Sequence, residues 1–310
     1  MKWNWRYGVA CALGMIFIVS AIFKLISIDE FELYVFAFGL MGFDTATIAA
    51  RCLIVGEALL GFCFMVNYRH RLVCWICAVV LGLFSGFLIW RLALGDTANC
   101  HCFGDVLDMS PGESLLKNIL LGIGLGVTWR PFGTGTGIKF LYVLLVALVL
   151  CIGVFVYSLP DVMVRRHYKS EGIEKEYFKK TISEELYCEK GRKVFCLYGT
   201  SCQYCGRCAK KIEGVVARHA LEDKDIVCVF METSSDMAMS VNDFFREHTA
   251  GRVYAYQTVP VIDFLNMTKG VMPIVVLVED GEVVGEYNYI TLKESTLIDF
   301  LLGKSMERAW

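Results

Sequence analysis

The stretch KVFCLYGTSCQYCGRCAKKIEGVVARHAL, residues 193–221, indicates a strand, a short turn and a helix in direct succession. Lys193–Tyr198 is rich in β-branched and aromatic residues, Gly199–Ser201 supplies turn and cap residues, and a helical spacing of apolar residues follows. Cys202 and Cys205 fall where this helix begins. The unpaired amides and the dipole of a helix start stabilise a thiolate and lower its pKa. Because the thiolate is the nucleophile of disulfide exchange, the pattern favours thiol–disulfide chemistry at this turn.

A third cysteine, Cys208, leaves other interpretations of the same turn open. The spacing C-x-x-C-x-x-C is also the start of an iron–sulfur pattern. The residues after Cys208 are Ala-Lys-Lys-Ile, so the fourth cysteine and its proline are missing. We weigh three possibilities here: thiol exchange, a metal or cluster site, and a degenerate, inactive domain. We expect Cys208 to be a buried thiol on the helix rather than a catalytic residue.

Residues 193–303 resemble a thioredoxin-like domain. The pair Cys202 and Cys205 matches the active-site motif of that family, and Met272-Pro273 before a strand matches its cis-proline. A strand, an Asp-Gly turn, a strand and a helix then complete the chain. The resemblance implies that Cys202 is the attacking thiol, Cys205 the resolving thiol, and Pro273 a residue that shapes the substrate groove. The dipeptide Gln203-Tyr204 departs from the family pattern and leaves the direction of electron flow open.

The composition places the first half of the chain in a membrane. Of 310 residues, 56% are hydrophobic and only 20% are charged, which is too apolar for an ordinary soluble protein. The formal net charge of −2 does not suggest a nucleic-acid partner. The 14 cysteines are spread along the chain, which argues against a dense disulfide scaffold. We predict a transmembrane domain at 1–160, a charged connector at 161–192 and a soluble domain at 193–310.

Five apolar runs are candidates for transmembrane helices, since a helix needs roughly 20 apolar residues to cross a bilayer. Lysine and arginine flank the first run and fill alternate loops, so the amino terminus is expected in the cytoplasm. The opposite loops hold acidic residues, among them Asp29, Glu30 and Glu32 between the first two runs. Five crossings then put residues 99–105 and the soluble domain on the outer face. Basic residues just after residue 160 run against this orientation. The candidate helices span about 7–26, 48–66, 72–94, 115–129 and 140–159.

The outer loop contains NCHCFGD, residues 99–105, with a histidine between two cysteines. On that side of the membrane Cys100 and Cys102 could form a disulfide. A bridge between residues two apart closes a small, strained ring and is therefore readily reduced. This suits a redox shuttle better than a structural bridge. A metal pair with His101, or two unpaired thiols, are the alternatives.

The stretches GMIFIVSAIFKL, IVGEALLGF and NCHCFGDVLDMSPGESLLKN resemble the DoxX/MauE-like membrane family over about residues 5–130. In that family a C-x-C-F-G-D loop precedes a helix that opens with a lysine–asparagine pair, here Lys117 and Asn118. The resemblance implies a four-helix bundle in the bacterial inner membrane and a link to periplasmic disulfide formation. The whole chain is then an all-α transmembrane helix bundle, with a fifth helix leading to an α/β thioredoxin-like domain.

One carboxylate, Glu57, lies inside the second predicted span. Such a group is costly in a membrane and is either functional or paired, here with Lys24 or Arg91. No haem or flavin motif is visible. A membrane quinone is a possible cofactor and would have to bind between helices.

We therefore expect a membrane-tethered thiol–disulfide oxidoreductase. Electrons would pass between the loop pair, Cys100 and Cys102, and the domain pair, Cys202 and Cys205. Its partners would be the lipid bilayer and client or redox proteins on the outer face, with no nucleic acid. The alternative is a non-catalytic assembly factor whose thioredoxin-like domain only binds a client.

Overall fold

The computed structural model describes residues 5–95, 109–129, 137–156, 172–183, 185–187, 190–232 and 239–303. The chain divides into two compact units. Met1–Val35 and Thr47–Met163 form the first, and Phe36–Ala46 and Val164–Trp310 form the second.

The amino-terminal half is helical, as its long apolar runs predict. Three of its helices, α1, α3 and α4, are long and apolar enough to cross a membrane, judged over the described residues. The fourth and fifth predicted spans also form helices, but α5 carries Glu113 and Lys117, and α6, with 19 residues, is shorter than α1, α3 and α4. The helices are α1 (Trp5–Ile26), α2 (Ile28–Ala37), α3 (Phe43–Val66), α4 (His70–Ala93), α5 (Pro111–Thr128) and α6 (Gly137–Phe155).

Helix α2 is not predicted from the sequence, where its acidic residues between two apolar runs indicate a loop. The described residues thus contain six helices in this half rather than five. Asp29 and Glu30 lie in the first turn of α2, where the helix dipole stabilises carboxylates. Glu32 is buried and accepts a hydrogen bond from Nε of Arg51 over 2.8 Å. The acidic residues therefore start and anchor a helix instead of marking a polar loop.

Glu57, the carboxylate inside the second predicted span, forms an ion pair with Lys24. Nζ of Lys24 lies 2.5 Å from Oε1 of Glu57, and the hydroxyl of Ser20 donates to Oε2 over 3.1 Å. Arg91 instead donates to the hydroxyl of Tyr34 over 3.0 Å. Two charges taken out of water are tolerated only when they are paired and hydrogen-bonded, as they are here.

Small residues allow α1 and α3 to approach closely. A Cβ atom on Gly61 would lie 2.6 Å from the carbonyl oxygen of Gly14, and one on Gly14 would lie 2.6 Å from the carbonyl oxygen of Gly61. Helices in membranes commonly pack through such small residues, because no hydrophobic force drives them together.

The carboxyl-terminal half is a mixed α/β unit around one five-stranded sheet. The strand order is β3-β2-β1-β4-β5, with β1, β2 and β3 parallel and β4 and β5 antiparallel to their neighbours. The strands are β1 (Arg192–Tyr198), β2 (Ile226–Met231), β3 (Ala255–Val259), β4 (Ile274–Glu279) and β5 (Glu282–Tyr287). The helices are α7 (Lys175–Thr181), α8 (Gln203–His219), α9 (Val241–His248), α10 (Val261–Thr268) and α11 (Glu294–Leu301).

The central strand β1 is covered on both faces. Phe195 and Leu197 pack with Phe178 of α7 in one core, and Tyr198 packs against Phe244 of α9 on the other face. A strand buried on both sides reads as a continuous apolar run, which explains the absence of alternation in its sequence. Helix α7 lies inside the stretch that the sequence suggests as a connector.

The predicted turns hold in this unit. Asp280 and Gly281 join β4 to β5 and both have positive φ, as an Asp-Gly hairpin turn requires. Helix α8 begins directly after Cys202 and ends at His219, two residues before the predicted end.

Candidate functional site

Cys202 is the N-cap residue of α8. Its backbone is extended, with φ −89° and ψ 113°, and its amide donates to the carbonyl of Gly199 over 3.1 Å. Sγ of Cys202 accepts a hydrogen bond from the amide of Cys205 over 3.3 Å. The first amides of a helix have no hydrogen-bond acceptor within the helix, so a sulfur atom at the N-cap can accept a hydrogen bond from one of them. The turn-and-cap signal in the sequence therefore predicts the position of this thiol correctly.

Cys205 lies one turn further along and behind Cys202. Its side chain is fully buried, whereas that of Cys202 is half-buried. Sγ of Cys205 receives a hydrogen bond from the amide of Gly199 over 3.4 Å. The pair thus presents one accessible thiol and one protected thiol.

The two thiols differ in acidity. The hydrogen bond from the Cys205 thiol lowers the pKa of Cys202 to about 7, and the amides of Cys205 and Tyr204 add to this against the opposing effect of burial. Burial raises the pKa of Cys205 well above its ordinary value, and the hydrogen bond to Cys202 raises it further. Near neutral pH Cys202 is therefore partly a thiolate, and Cys205 holds its proton.

The peptide bond between Met272 and Pro273 is cis, as the sequence resemblance predicts. Pro273 precedes β4, whose first residue, Ile274, pairs with Leu197 near the end of β1. This pairing brings the segment before β4 to the turn that carries Cys202. That Pro273 shapes a client groove stays a prediction.

The other thiols that the structure describes in this unit lie in its core. Cys208 is fully buried, and burial raises its pKa to about 12. Cys196 and Cys228 are also buried and lie opposite each other in the paired strands β1 and β2. In the described part of the chain, no three or more His, Cys, Asp and Glu residues are grouped to hold a metal ion.

Two close contacts at the start of α8 are not predicted from the sequence. A Cβ atom on Gly206 would lie 2.7 Å from the imidazole of His248, so a glycine lets α9 approach the first turn of α8. Gly199 does the same for Met272, since a Cβ atom there would lie 2.8 Å from its sulfur. A glycine beside a reactive residue signals a close approach, but the approaching residue is distant in sequence and cannot be identified from it.

The loop cysteines Cys100 and Cys102, and His101 between them, lie outside the described residues. Their predicted pairing stays a prediction. Helix α5, which follows the loop, begins with a capping box in which Ser110 and Glu113 exchange hydrogen bonds. Asn118 of the lysine–asparagine pair is buried and donates to the hydroxyl of Ser85 over 3.2 Å.

The comparisons with known proteins concern both halves of the chain. Residues 4–130 match the family model described as methylamine utilisation protein MauE. This confirms the MauE resemblance and its bounds. The chain is also 24% identical to "Protein TlpB" of Flavobacterium psychrophilum, in an alignment that covers 95% of this chain and 94% of the relative. No solved structure matches. The chain is thus a membrane protein in which a MauE-like part is joined to a further α/β unit, and its likeness to the relative spans both parts.

The MauE-like part contains a cavity of about 620 Å³ between α1 and α5. Apolar side chains of both helices line it, together with Glu113 and Lys117. It lies between helices, where a membrane quinone is expected to bind, and quinone binding stays a prediction.

Proposed function

We propose that this protein is a membrane-tethered thiol–disulfide oxidoreductase. The observation that carries the proposal is the arrangement of one thiol pair. Cys202 is accessible at the N-cap of α8 and Cys205 is buried behind it, within hydrogen-bonding contact. An accessible sulfur that ionises near neutral pH attacks disulfides, and an adjacent protected thiol resolves the product.

The chemistry balances with the residues present. The Cys202 thiolate attacks one sulfur of a client disulfide, a new S–S bond forms to the client, and the other client sulfur leaves and takes up a proton. Cys205 then loses its proton and attacks Sγ of Cys202, which releases the second client thiol. The client is reduced by two electrons and Cys202–Cys205 becomes a disulfide. The same steps in reverse oxidise a client dithiol.

The fold of the second unit supports a thioredoxin-like assignment. The reactive turn joins a central strand to a helix, a cis-proline precedes the neighbouring antiparallel strand, and a hairpin and a helix follow. The resemblance of the sequence to this family implies the same roles for Cys202, Cys205 and Pro273.

The membrane part would tether this unit and supply its redox partner. In this proposal the chain crosses the inner membrane several times, its amino terminus is cytoplasmic, and the α/β unit and the loop with Cys100 and Cys102 face the periplasm. Electrons then pass between the loop pair and Cys202. A mixed disulfide between Cys202 and either loop cysteine, isolated from the Cys205→Ser variant and identified by mass spectrometry, is the expected intermediate.

Three variants of the full chain test the exchange mechanism. Cys205→Ser should trap a client as a mixed disulfide, because the resolving thiol is gone. Cys202→Ser should capture no client. Cys208→Ser is the matched control and should behave as the parent, since Cys208 is buried away from solvent. If Cys205→Ser traps nothing and Cys202 ionises near 8.5, the non-catalytic assembly factor is the better description.

A further inference from the structure

Four sulfur-bearing side chains surround Gly199. A Cβ atom on this glycine would lie 2.8 Å from Sδ of Met272, 3.6 Å from Cβ of Cys202 and 4.0 Å from Cε of Met231. Its amide donates to Sγ of Cys205 over 3.4 Å. The side chains of two cysteines and two methionines, from three separate segments of the chain, therefore lie around this glycine.

The register of the sheet produces this meeting. The last residue of β1 pairs with Phe230 of β2, and the residue before it pairs with Ile274 of β4. Continued past the strand end, the same register places Gly199 between Met231 on one side and Met272 on the other. Because glycine has no side chain, the ends of the Met231 and Met272 side chains can occupy the space beside Gly199.

The sulfur atoms of this cluster favour one class of metal ion. Thioethers bind soft cations and ignore hard ones, and thiolates with thioethers are a preferred donor set of Cu(I). The described residues around the turn offer no group of three or more His, Cys, Asp and Glu for a harder cation. Cys202, Met231 and Met272 are only half-buried, so an ion can reach the cluster from solvent.

We propose that the reduced protein binds one Cu(I) ion through the thiol sulfurs of Cys202 and Cys205 and the thioether sulfurs of Met231 and Met272. The ion displaces the two thiol protons to solvent, and no electron is transferred. Once Cys202 and Cys205 are joined in a disulfide, the thiolate ligands are lost and the ion is not bound. Copper and a client disulfide thus compete for the same sulfurs. The site needs only the reduced thiols and does not depend on their exchange activity.

The test uses the full chain in detergent, with Cys100→Ser and Cys102→Ser as the starting protein so that the loop thiols do not contribute. The reduced protein is titrated without oxygen against the Cu(I) complex of bicinchoninate. We expect one more equivalent of Cu(I) than in a further variant with Cys202→Ser and Cys205→Ser. Equal uptake by both proteins overturns the proposal.

A second pair of variants tests the thioethers. Changes to residues around metal ligands cost about 10- to 100-fold in affinity, so replacing two ligands with Met231→Leu and Met272→Leu should weaken Cu(I) binding at least about tenfold. Met267→Leu is the matched control, because Met267 is a buried methionine that does not border Gly199. Unchanged affinity in the double leucine variant overturns the site.

Two further measurements keep the result decisive. If the double leucine variant does not fold, X-ray absorption of the copper-loaded starting protein replaces it, with three or four sulfur neighbours expected and two sulfur neighbours overturning the site. Alkylation of Cys202 is followed in every protein that retains this cysteine. Normal alkylation without copper binding rejects the copper site alone, whereas loss of alkylation in the starting protein rejects the proposed exchange function.

Discussion

The amide of Gly199 donates a hydrogen bond to Sγ of Cys205 across 3.4 Å. The turn before α8 is therefore hydrogen-bonded to the buried thiol, whereas the accessible thiol of Cys202 is hydrogen-bonded to the first turn of the helix. Cys202 in turn receives the amide of Cys205 over 3.3 Å. The two sulfurs therefore sit in different hydrogen-bonding surroundings although they are three residues apart. Each sulfur accepts one of these amides, so the difference in pKa comes mainly from the burial of Cys205 and from the hydrogen bond that its thiol donates to Cys202.

The hydrogen bond from the Cys205 thiol can be tested through the acidity of Cys202. Cys205→Ala removes the donor and should raise the pKa of Cys202 by about one to two units, because a hydrogen bond to a charged group contributes about 1.5–3 kcal/mol. Cys205→Ser retains a donor and should raise it less. The pH dependence of iodoacetamide labelling, read by mass spectrometry on the Cys202 peptide, gives each value. Identical profiles in the three proteins would contradict the assignment.

The lowered pKa of Cys202 predicts how the stability of the reduced protein changes with pH. The pKa falls on folding, so its contribution is present above the unfolded value, near 9, and is lost as the pH falls through about 7. The melting temperature of the reduced parent, relative to Cys202→Ser, should therefore rise between pH 6 and pH 9. Because the thiol is half-exposed, we expect about 1–2 kcal/mol rather than the full shift. A flat difference over this range would show that Cys202 is not ionised in the folded protein.

The packing of α1 on α3 can be tested at two glycines of the same helix. Gly61→Ala places a Cβ atom 2.6 Å from the carbonyl oxygen of Gly14, and backbone cannot move aside as a side chain can. We expect a loss of about 1–3 kcal/mol from overpacking, seen as a lower melting temperature in detergent. Gly56→Ala is the control, because a Cβ atom there meets nothing within 4 Å. Equal melting temperatures for the two variants would rule out the close approach.

The buried ion pair of Lys24 and Glu57 should show strong coupling. Lys24→Met or Glu57→Leu alone leaves one buried charge without its partner and should cost about 3–5 kcal/mol. The double variant removes both charges and should recover most of that loss, since apolar replacements of buried pairs are often neutral. A double-variant cycle of melting temperatures provides the coupling. Additive losses would indicate that the two side chains act independently.

The sequence predicts most of the reactive turn because its signals are local. A glycine, a threonine and a serine end a strand and cap a helix, and this places Cys202 at the helix start within one residue. The cis-proline follows from the same kind of local resemblance. Helix α2 is not predicted because acidic residues between two apolar runs are typical of a loop. In the structure Glu32 is buried and hydrogen-bonded to Arg51, which lies 19 positions away in the sequence.

The sequence does not predict which side chains gather around the turn. Met231 and Met272 both lie beside Gly199 only because the parallel strand β2 ends, and the antiparallel strand β4 begins, at the same edge of the sheet. The partner of Gly206 is likewise set by the packing of α9, which places His248 against it. Such contacts depend on strand order and helix packing, which local spacing does not contain.

Strand β1 is the middle member of the sheet, and both of its edges are taken by neighbours. Its amides can exchange with deuterated solvent only when most of the unit opens, whereas those of the edge strands β3 and β5 can exchange by local fraying. The reactive turn is thus anchored at the slowest-exchanging part of the sheet. Force that a client exerts on Cys202 through a mixed disulfide would be transmitted to strand β1. Because this strand is expected to unfold last, the covalent bond would form next to the most stable part of the sheet.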